Sequence, residues 1–206
     1  RSLRFTDDNF GILKRDIELA EFIGKLYSKE KYPQALKVYT DKTINDQVRK
    51  VMLALKEILP YNISLQSTTP EVLKIIKRKN RPLGEIADTF RWAKKNDLIT
   101  GTEILHGFPG ETYETFTKCV NDMYELRVDS VGSHEVWLLP NTELASKDSR
   151  EKNGFESRFT LGADALSVID EKLICEYDEH IVSSKYMTVE EHYKLCAIDF
   201  YITLTL

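Results

Sequence analysis

The sequence has few cysteines, no long apolar run and little net charge, and each shortage argues against a class of protein. Its 206 residues contain three cysteines, Cys119, Cys175 and Cys196, whose wide spacing fits free thiols in a reducing cytosol better than a disulfide framework. No apolar stretch approaches the ~20 residues of a membrane span. A formal net charge of −4 gives no sign of a general nucleic-acid or membrane surface. With no recognisable signal peptide, we expect a cytoplasmic protein.

Strand and helix patterns alternate over the first part of the chain. Apolar residues recur at helical spacing in the segments between strands. Strict alternation with right-handed crossovers predicts a parallel sheet. We expect a partial (β/α)6 TIM-like barrel, although a doubly wound open sheet differs only in strand order. The five expected strands lie at 2–6, 35–40, 62–66, a stretch ending near His106, and 131–138.

The alternation ends at about residue 146. The segment 147–157 is charged and contains glycine, which predicts a loop or linker. A strand is expected at 180–183, followed by a helix from Thr188. The chain is therefore divided into a barrel-like part, 1–145, and a small C-terminal linker and α/β extension, 146–206.

The most informative stretch is 102–112, with the sequence TEILHGFPGET. An apolar strand enters a Gly-Phe-Pro-Gly turn, and a Glu-Thr pair then opens a helix. The segment 62–70 shows the same order of strand, polar turn and helix. Parallel strands place their C-terminal ends at one edge, where α/β proteins bind ligands. Gly107 and Gly110 either fix the bend or let the backbone approach a ligand closely.

Three polar residues on or after these strands have two interpretations each. Glu103 lies within an apolar strand. Its carboxylate could lie at a sheet edge or form a salt bridge. If it is buried, it needs a partner, and a ribose or an amino group of a ligand would supply one. Gln66 and Ser67 suit sugar hydroxyls, although Ser67 could equally cap the helix that follows.

The charged candidates are also ambiguous. Asp7 and Asp8 follow the first strand and could hold a ligand ammonium, or form an Asx turn with Asn9. Arg78 lies in a basic run that could be a solvated helix end. Its guanidinium could instead grip a carboxylate.

Four residues near the end of the chain could form a zinc site. They are Cys175, His180, His192 and Cys196, spaced C-x4-H-x11-H-x3-C. All four are residue types that bind zinc. Cys196 nevertheless lies in an apolar helix pattern, where a buried thiol is ordinary. We therefore expect no metal site in this segment.

Taken together, the turns resemble those of radical S-adenosylmethionine enzymes. The similarity is greatest to the subgroup that usually carries an N-terminal cobalamin-binding domain, and it spans roughly residues 2–145. No single motif is decisive, but each follows a predicted strand and all occur in the family's order. The motifs are TDDNFG at 6–11, ISLQS at 63–67, VLK at 72–74 with RKN at 78–80, EILHGFPGET at 103–112, and LPNTEL at 139–144.

The resemblance implies a partial barrel that holds a [4Fe–4S] cluster and S-adenosylmethionine. It implies that the reduced cluster cleaves this cofactor to a 5′-deoxyadenosyl radical, which abstracts a hydrogen from a substrate that the sequence does not identify. Cobalamin is an additional expectation from the subgroup. The implied cofactor-binding positions are Asp7 and Asp8 (methionine ammonium), Gln66 and Ser67 (ribose), Arg78 (carboxylate), Glu103, Ile104 and Gly107 (ribose and adenine), and Pro140 (adenine pocket).

One departure from the family matters. The CxxxCxxC segment, whose thiolates ligate the cluster, is absent from these residues, and the three cysteines are 56 and 21 residues apart. We expect that this motif, the preceding strand and any cobalamin domain lie upstream, and that the chain alone is inactive. A non-catalytic binding or scaffold module is the alternative. An ordinary barrel enzyme is a further alternative.

Overall fold

The computed structural model describes residues 1–40 and 44–205, except for the side chains of 163–165 and 205. Helices and parallel strands alternate as far as β5, and an antiparallel hairpin and a final helix follow. The elements are β1 (Ser2–Arg4), α1 (Lys14–Glu30), β2 (Ala35–Lys37), α2 (Asp46–Leu55), β3 (Tyr61–Gln66), α3 (Pro70–Ile75), α4 (Leu83–Lys95), β4 (Thr100–His106), α5 (Tyr113–Leu126), β5 (Ser130–Glu135), α6 (Lys147–Asn153), β6 (Glu156–Ile169), β7 (Lys172–Ser183) and α7 (Val189–Thr205).

The strand order identifies the sheet as part of a barrel. β1 pairs with β2, and β3, β4 and β5 pair in sequence order, all of them parallel. The two groups meet where the Leu36 N–H donates to the Ile58 carbonyl at 2.9 Å. A doubly wound sheet would place later strands on the other side of the first one. The expected partial barrel is therefore confirmed, with five parallel strands in the described part of the chain.

The core lies between this sheet and the surrounding helices. The stripe predicted for the second helix is buried in α2, with Val48, Val51 and Met52 all at 0% exposure. Burial of each such side chain stabilises the fold by roughly 1.5–3 kcal/mol. Within the described ranges, no helix combines the length and the apolar character needed to cross a membrane.

Side-chain alternation in the strands separates the core from the barrel interior. In β3 the odd-numbered residues are buried, and the even-numbered residues point to the other face. In β4 the parity is reversed, so that Ile104 is completely buried in the core while Glu103 lies on the interior face. A shift of one position would exchange the two faces.

The segment after β5 differs from its prediction in two respects. Residues 147–157, predicted as a loop, contain the helix α6, because Ser146 accepts a hydrogen bond from the Ser149 N–H and Gly154 ends the helix in a left-handed conformation. The long strand β6 was also missed, and it pairs with β7 as a hairpin. The strand expected at 180–183 is the end of β7, and the helix expected from Thr188 is α7, which packs against β5 and α5.

The burial of Ile104 gives a direct test of the register of β4. Ile104→Val should lower the free energy of unfolding by about 0.5–1.5 kcal/mol, because it removes a methyl group from a packed core. The matched control is Ile99→Val, since Ile99 is 59% exposed and its change should stay within about 0.5 kcal/mol. Urea unfolding followed by circular dichroism measures both values. Equal effects of the two substitutions would contradict the register.

Candidate functional site

A cavity of about 900 Å³ opens between the ends of β1 and β2 on one side and the ends of β3 and β4 on the other. This volume lies in the range typical of pockets for small molecules and cofactors. Polar side chains from separate elements reach it, among them Asp8, Asn9, Asn62, Ser64, Gln66, Arg78 and Glu103. The lining extends from Ala35 and Asn62, near the amino ends of β2 and β3, to Asp8 and Gln66, which follow β1 and end β3.

An irregular end of β3 places Gln66 at the cavity. The pairing with β4 shifts register between Ser64 and Gln66, and Gln66 has a φ of +67°. A residue other than glycine in this left-handed region needs support from its surroundings. Asn80 provides it, because its amide donates to the carbonyls of Leu65 and Ser67 at 2.7 and 2.8 Å.

A cation and a carboxylate are fixed on the same wall of the cavity. The Ser64 hydroxyl donates to a carboxylate oxygen of Glu103 at 2.8 Å, and the Arg78 guanidinium donates to the Ser64 carbonyl. Burial lowers the pKa of Arg78, but a guanidinium remains charged at any physiological pH. The wall can therefore bind a ligand carboxylate and ligand hydroxyls at neighbouring points.

The two adjacent aspartates do not share one location. Asp8, which follows β1, lines the same cavity as Arg78. Asp7 instead accepts the Asn9 N–H at 2.9 Å, which is the Asx turn considered from the sequence, and it lies in a different depression beside Arg15. Asp8 is thus the aspartate placed to meet a cationic group in the cavity.

The Gly-Phe-Pro-Gly turn is held by a buried carboxyl group. Gly107 and Gly110 have φ values of +96° and +83°, and a Cβ at Gly110 would approach Ile75 Cδ1 to 2.5 Å. Glu111 is 1% exposed and accepts the Gly107 N–H at 2.7 Å. Burial raises the pKa of Glu111 to about 8, against the opposing effect of this hydrogen bond. Thr112, not Glu111, caps the helix α5.

Four other predicted positions are not among the described residues that line this cavity. Ser67 is buried and accepts the Thr69 N–H at 3.2 Å, so it shapes the turn before α3. Ile104 lies in the core, and Gly107 contributes a backbone conformation. Pro140 is exposed in the turn after β5.

A second cavity, of about 780 Å³, adjoins the first. The two share Gln66 and Arg78. Leu139 and Thr142, which flank Pro140, line the second one. The segment predicted to close the adenine pocket therefore borders the neighbouring space.

Sequence reasoning missed several lining residues, notably Asn62, Ser64 and Tyr39. The signal for two of them was present. Asn62, Ser64 and Gln66 alternate with the apolar residues of β3, and such alternation places all three on one face. Tyr39 follows the short strand β2 and had no comparable signal.

The cysteines are remote from the cavity lining in the described part of the chain. Cys119 is buried in α5, and Cys175 lies in β7 opposite Leu166. Cys175 is five residues from His180 on one strand, a distance of about 16 Å. Cys175 and His180 therefore cannot ligate one zinc ion together.

The family model for the radical SAM superfamily matches residues 1–123. The chain belongs to the radical SAM superfamily. This match covers α1 to α5 with their strands, which include every element that borders the first cavity. The similarity extends to cobalamin-dependent members of the superfamily.

Three relatives illustrate the similarity. The cobalamin-dependent radical SAM methyltransferase TokK of Streptomyces tokunonensis is 27% identical over 155 residues, covering 73% of this chain and 23% of that protein. The ribosomal protein uS12 methylthiotransferase RimO of Shewanella sp. (strain MR-4) is 32% identical over 148 residues, covering 68% of this chain and 30% of that protein. The solved structure of TsrM from Kitasatospora setae superposes with a TM-score of 0.65 at 16% identity, covering 97% of this chain and 42% of that one, which shows a shared fold. The chain thus spans a quarter to two fifths of these radical SAM relatives.

Ionisation of Glu111 should make the stability of this radical SAM chain depend on pH. Burial raises the pKa of the folded Glu111 carboxyl to about 8, whereas an ordinary glutamate has a pKa of 4.5. Between these values the unfolded state binds fewer protons, so the free energy of unfolding falls as pH rises. Glu111→Gln should remove this part of the slope, whereas Glu114→Gln, on the exposed side of α5, should keep it. Urea unfolding at several pH values measures both slopes, and an unchanged slope in Glu111→Gln would refute the assignment.

Proposed function

We propose that this chain is the cofactor-binding part of a radical SAM enzyme and that the first cavity holds S-adenosylmethionine. The observation that carries the proposal is the placement of Asp8, Arg78 and Glu103 around one cavity of about 900 Å³. These groups match the three polar parts of the cofactor, which are an ammonium, a carboxylate and a ribose diol. The family match over the same elements supports this choice of ligand.

Each residue has a specific role in this proposal. Asp8 pairs with the ammonium group, and Arg78 binds the carboxylate in a fork that suits its planar geometry. Glu103, held by Ser64, accepts hydrogen bonds from the ribose hydroxyls, and Gln66 reaches the same sugar. Asp7 sets the turn that carries Asp8.

Ser67, the stretch 104–107 and Pro140 shape the adenosyl end of the site. Ser67 fixes the turn beyond Gln66 through its hydrogen bond to Thr69. The backbone of β4 from Ile104 to Gly107 borders the adenine, and Pro140 closes this side. In the enzymes of this family, the bound cofactor supplies a 5′-deoxyadenosyl radical. The residues of this chain bind and orient the cofactor for that step.

The cysteines of this chain do not fit a [4Fe–4S] cluster. Such a cluster needs thiolates that converge on one point, whereas Cys119, Cys175 and Cys196 lie in α5, β7 and α7. The thiolates for a cluster must therefore come from outside these 206 residues, and no step of the reaction is assigned to the cysteines of this chain.

Methyl transfer with cobalamin is the reaction class that we propose for the whole enzyme, acting on a small-molecule substrate. The support comes from TokK, named as a cobalamin-dependent methyltransferase, and from the fold shared with TsrM, named as a methyltransferase. Methylthiotransfer is the second candidate, since RimO is 32% identical. A non-catalytic module is not favoured, because the cavity keeps a charged lining suited to the family's cofactor.

We also propose a cytoplasmic location. All three cysteines are free thiols, and reducing compartments maintain cysteines in that state.

Substitutions at the cavity should weaken the binding of S-adenosylmethionine to the chain. Asp8→Asn and Glu103→Gln each remove one charge while keeping the shape of the side chain, and each should raise Kd by roughly 10- to 100-fold, as expected for a charged hydrogen bond. Glu18→Gln, on the exposed side of α1, is the control with unchanged affinity. Isothermal titration calorimetry measures the three constants. Equal affinities for all variants would place the ligand elsewhere.

A longer protein that includes this chain and a CxxxCxxC segment should release 5′-deoxyadenosine when it is prepared anaerobically and reduced. Glu103→Gln should lower the rate by roughly 10-fold or more at subsaturating cofactor, with the visible absorption of the cluster unchanged. Chromatography of the nucleoside products measures the rate. A loaded cluster without any cleavage of S-adenosylmethionine would refute the radical function.

A further inference from the structure

A compact group of metal-binding side chains lies on the outer face of the sheet, between the strands and α7. His106 ends β4 and Glu135 ends β5, and both belong to the face opposite Glu103. His192 and Cys196 are four residues apart on α7, so they share one side of that helix. These four residues, His106, Glu135, His192 and Cys196, form what we call the outer cluster.

His106 is buried without the hydrogen bonds that a buried imidazole normally has. It is 0% exposed, and neither of its ring nitrogens has a hydrogen-bond partner within 1–40 and 44–205. His192 is 3% exposed, and its Nδ1 likewise has no hydrogen-bond partner among the described residues. Orphaned buried polar atoms are rare and costly in folded proteins, and an absent ligand explains them.

The distances within the outer cluster suit a tetrahedral metal ion. Cys196 Sγ lies 3.3 Å from Glu135 Oε1 and 3.5 Å from His192 Nε2. Tetrahedral zinc separates neighbouring ligand atoms by roughly 3.3–3.8 Å, given its bond lengths. Ligand atoms of His106, Glu135 and Cys196 all lie within 4.8 Å of one another, and His192 joins them through its contact with Cys196.

We propose that the outer cluster is a zinc site with His106, Glu135, His192 and Cys196 as its four ligands. A thiolate, two imidazoles and a carboxylate form a donor set that zinc accepts and that hard cations such as magnesium do not favour. On binding, the Cys196 thiol loses its proton to solvent, and the hydrogen bond that it donates to Glu135 is replaced by bonds from both groups to the metal.

Neighbouring groups are placed to orient the ligands. His180 Nδ1 lies 2.7 Å from the second carboxylate oxygen of Glu135. Asp199 Oδ2 lies 3.9 Å from His106 Nε2, within ion-pair range of the ring but beyond hydrogen-bond distance. Such partners of metal ligands fix the orientation of the ring and increase its affinity.

The zinc site would be structural and separate from the cofactor cavity. Its four ligands connect β4, β5 and α7, so the metal would pin the last helix to the sheet. Four protein ligands leave no open position for a substrate, as is usual for structural zinc. The inference does not depend on the proposed function, because none of the four ligands lines the first cavity, although Glu135 also borders the second one.

Metal analysis of the 206-residue chain tests the proposal. Chain stripped with a chelator and then dialysed against zinc should retain about one equivalent, measured by mass spectrometry of the metal. Cobalt as the added metal should give the charge-transfer absorption of a thiolate ligand. Zinc should also raise Tm, since it binds only the folded state.

Variants distinguish zinc binding at the outer cluster from zinc binding by other thiols of the chain. Cys196→Ser and His106→Ala should each raise the Kd for zinc by more than roughly 100-fold, and Asp199→Asn by roughly 10- to 100-fold. Cys175→Ser is the matched control and should bind like the unmodified chain, because Cys175 lies far along the hairpin. Circular dichroism of each variant without metal verifies that it folds.

The cobalt spectrum makes the test independent of variants that fail to fold. A folded chain that retains no zinc and gives no thiolate band with cobalt would overturn the proposal and leave a hydrogen-bonded polar group at this position. Equal zinc binding by Cys196→Ser and the unmodified chain would overturn it as well, since the metal would then lie elsewhere. Loss of the band in Cys196→Ser but not in Cys175→Ser would support it.

Discussion

The parallel pairing of β4 with β3 and β5 is the constraint on which the rest of the structure depends. It sets Ser64 opposite Glu103, and Glu103 opposite Gly132. A Cβ at position 132 would lie in ordinary van der Waals contact with the Glu103 side chain, 3.4 Å from its Cγ. The same pairing brings His106 beside Glu135 on the other face. This one register therefore positions Ser64 beside Glu103 at the cavity and His106 beside Glu135 in the outer cluster.

Both faces of these strands carry polar residues at some energetic cost. The buried Glu111 carboxyl recovers part of its lost hydration through the Gly107 N–H, whereas both ring nitrogens of His106 lack a hydrogen-bond partner in the described residues. Apolar side chains at these positions would pack without that loss. The positions at which the chain departs from an apolar interior are the turn after β4 and the outer cluster, and such departures are typical of functional sites.

The sequence predicted the alternating elements because each signal was local. The helical stripes, the Asx turn of Asp7 and the capped turn before α5 depend on residues close together in the chain, and the structure contains all of them. The sequence also singled out Asp8, Gln66, Arg78 and Glu103, and the structure places all four in the lining of one cavity. The helix α6 was hidden by its charged composition, although Ser146 and Gly154 mark its ends.

The sequence by itself determined the class of fold and the edge of the sheet at which a ligand site would lie, since periodicity and turn residues encode both. Only the tertiary structure decided which side chains share a cavity. Asp7 and Asp8 are adjacent in the chain but diverge, because an Asx turn directs the first away. His106 and Cys196 are ninety residues apart, yet they lie together because α7 packs back onto β5. No local pattern records a contact of that kind, since it depends on how separate elements pack.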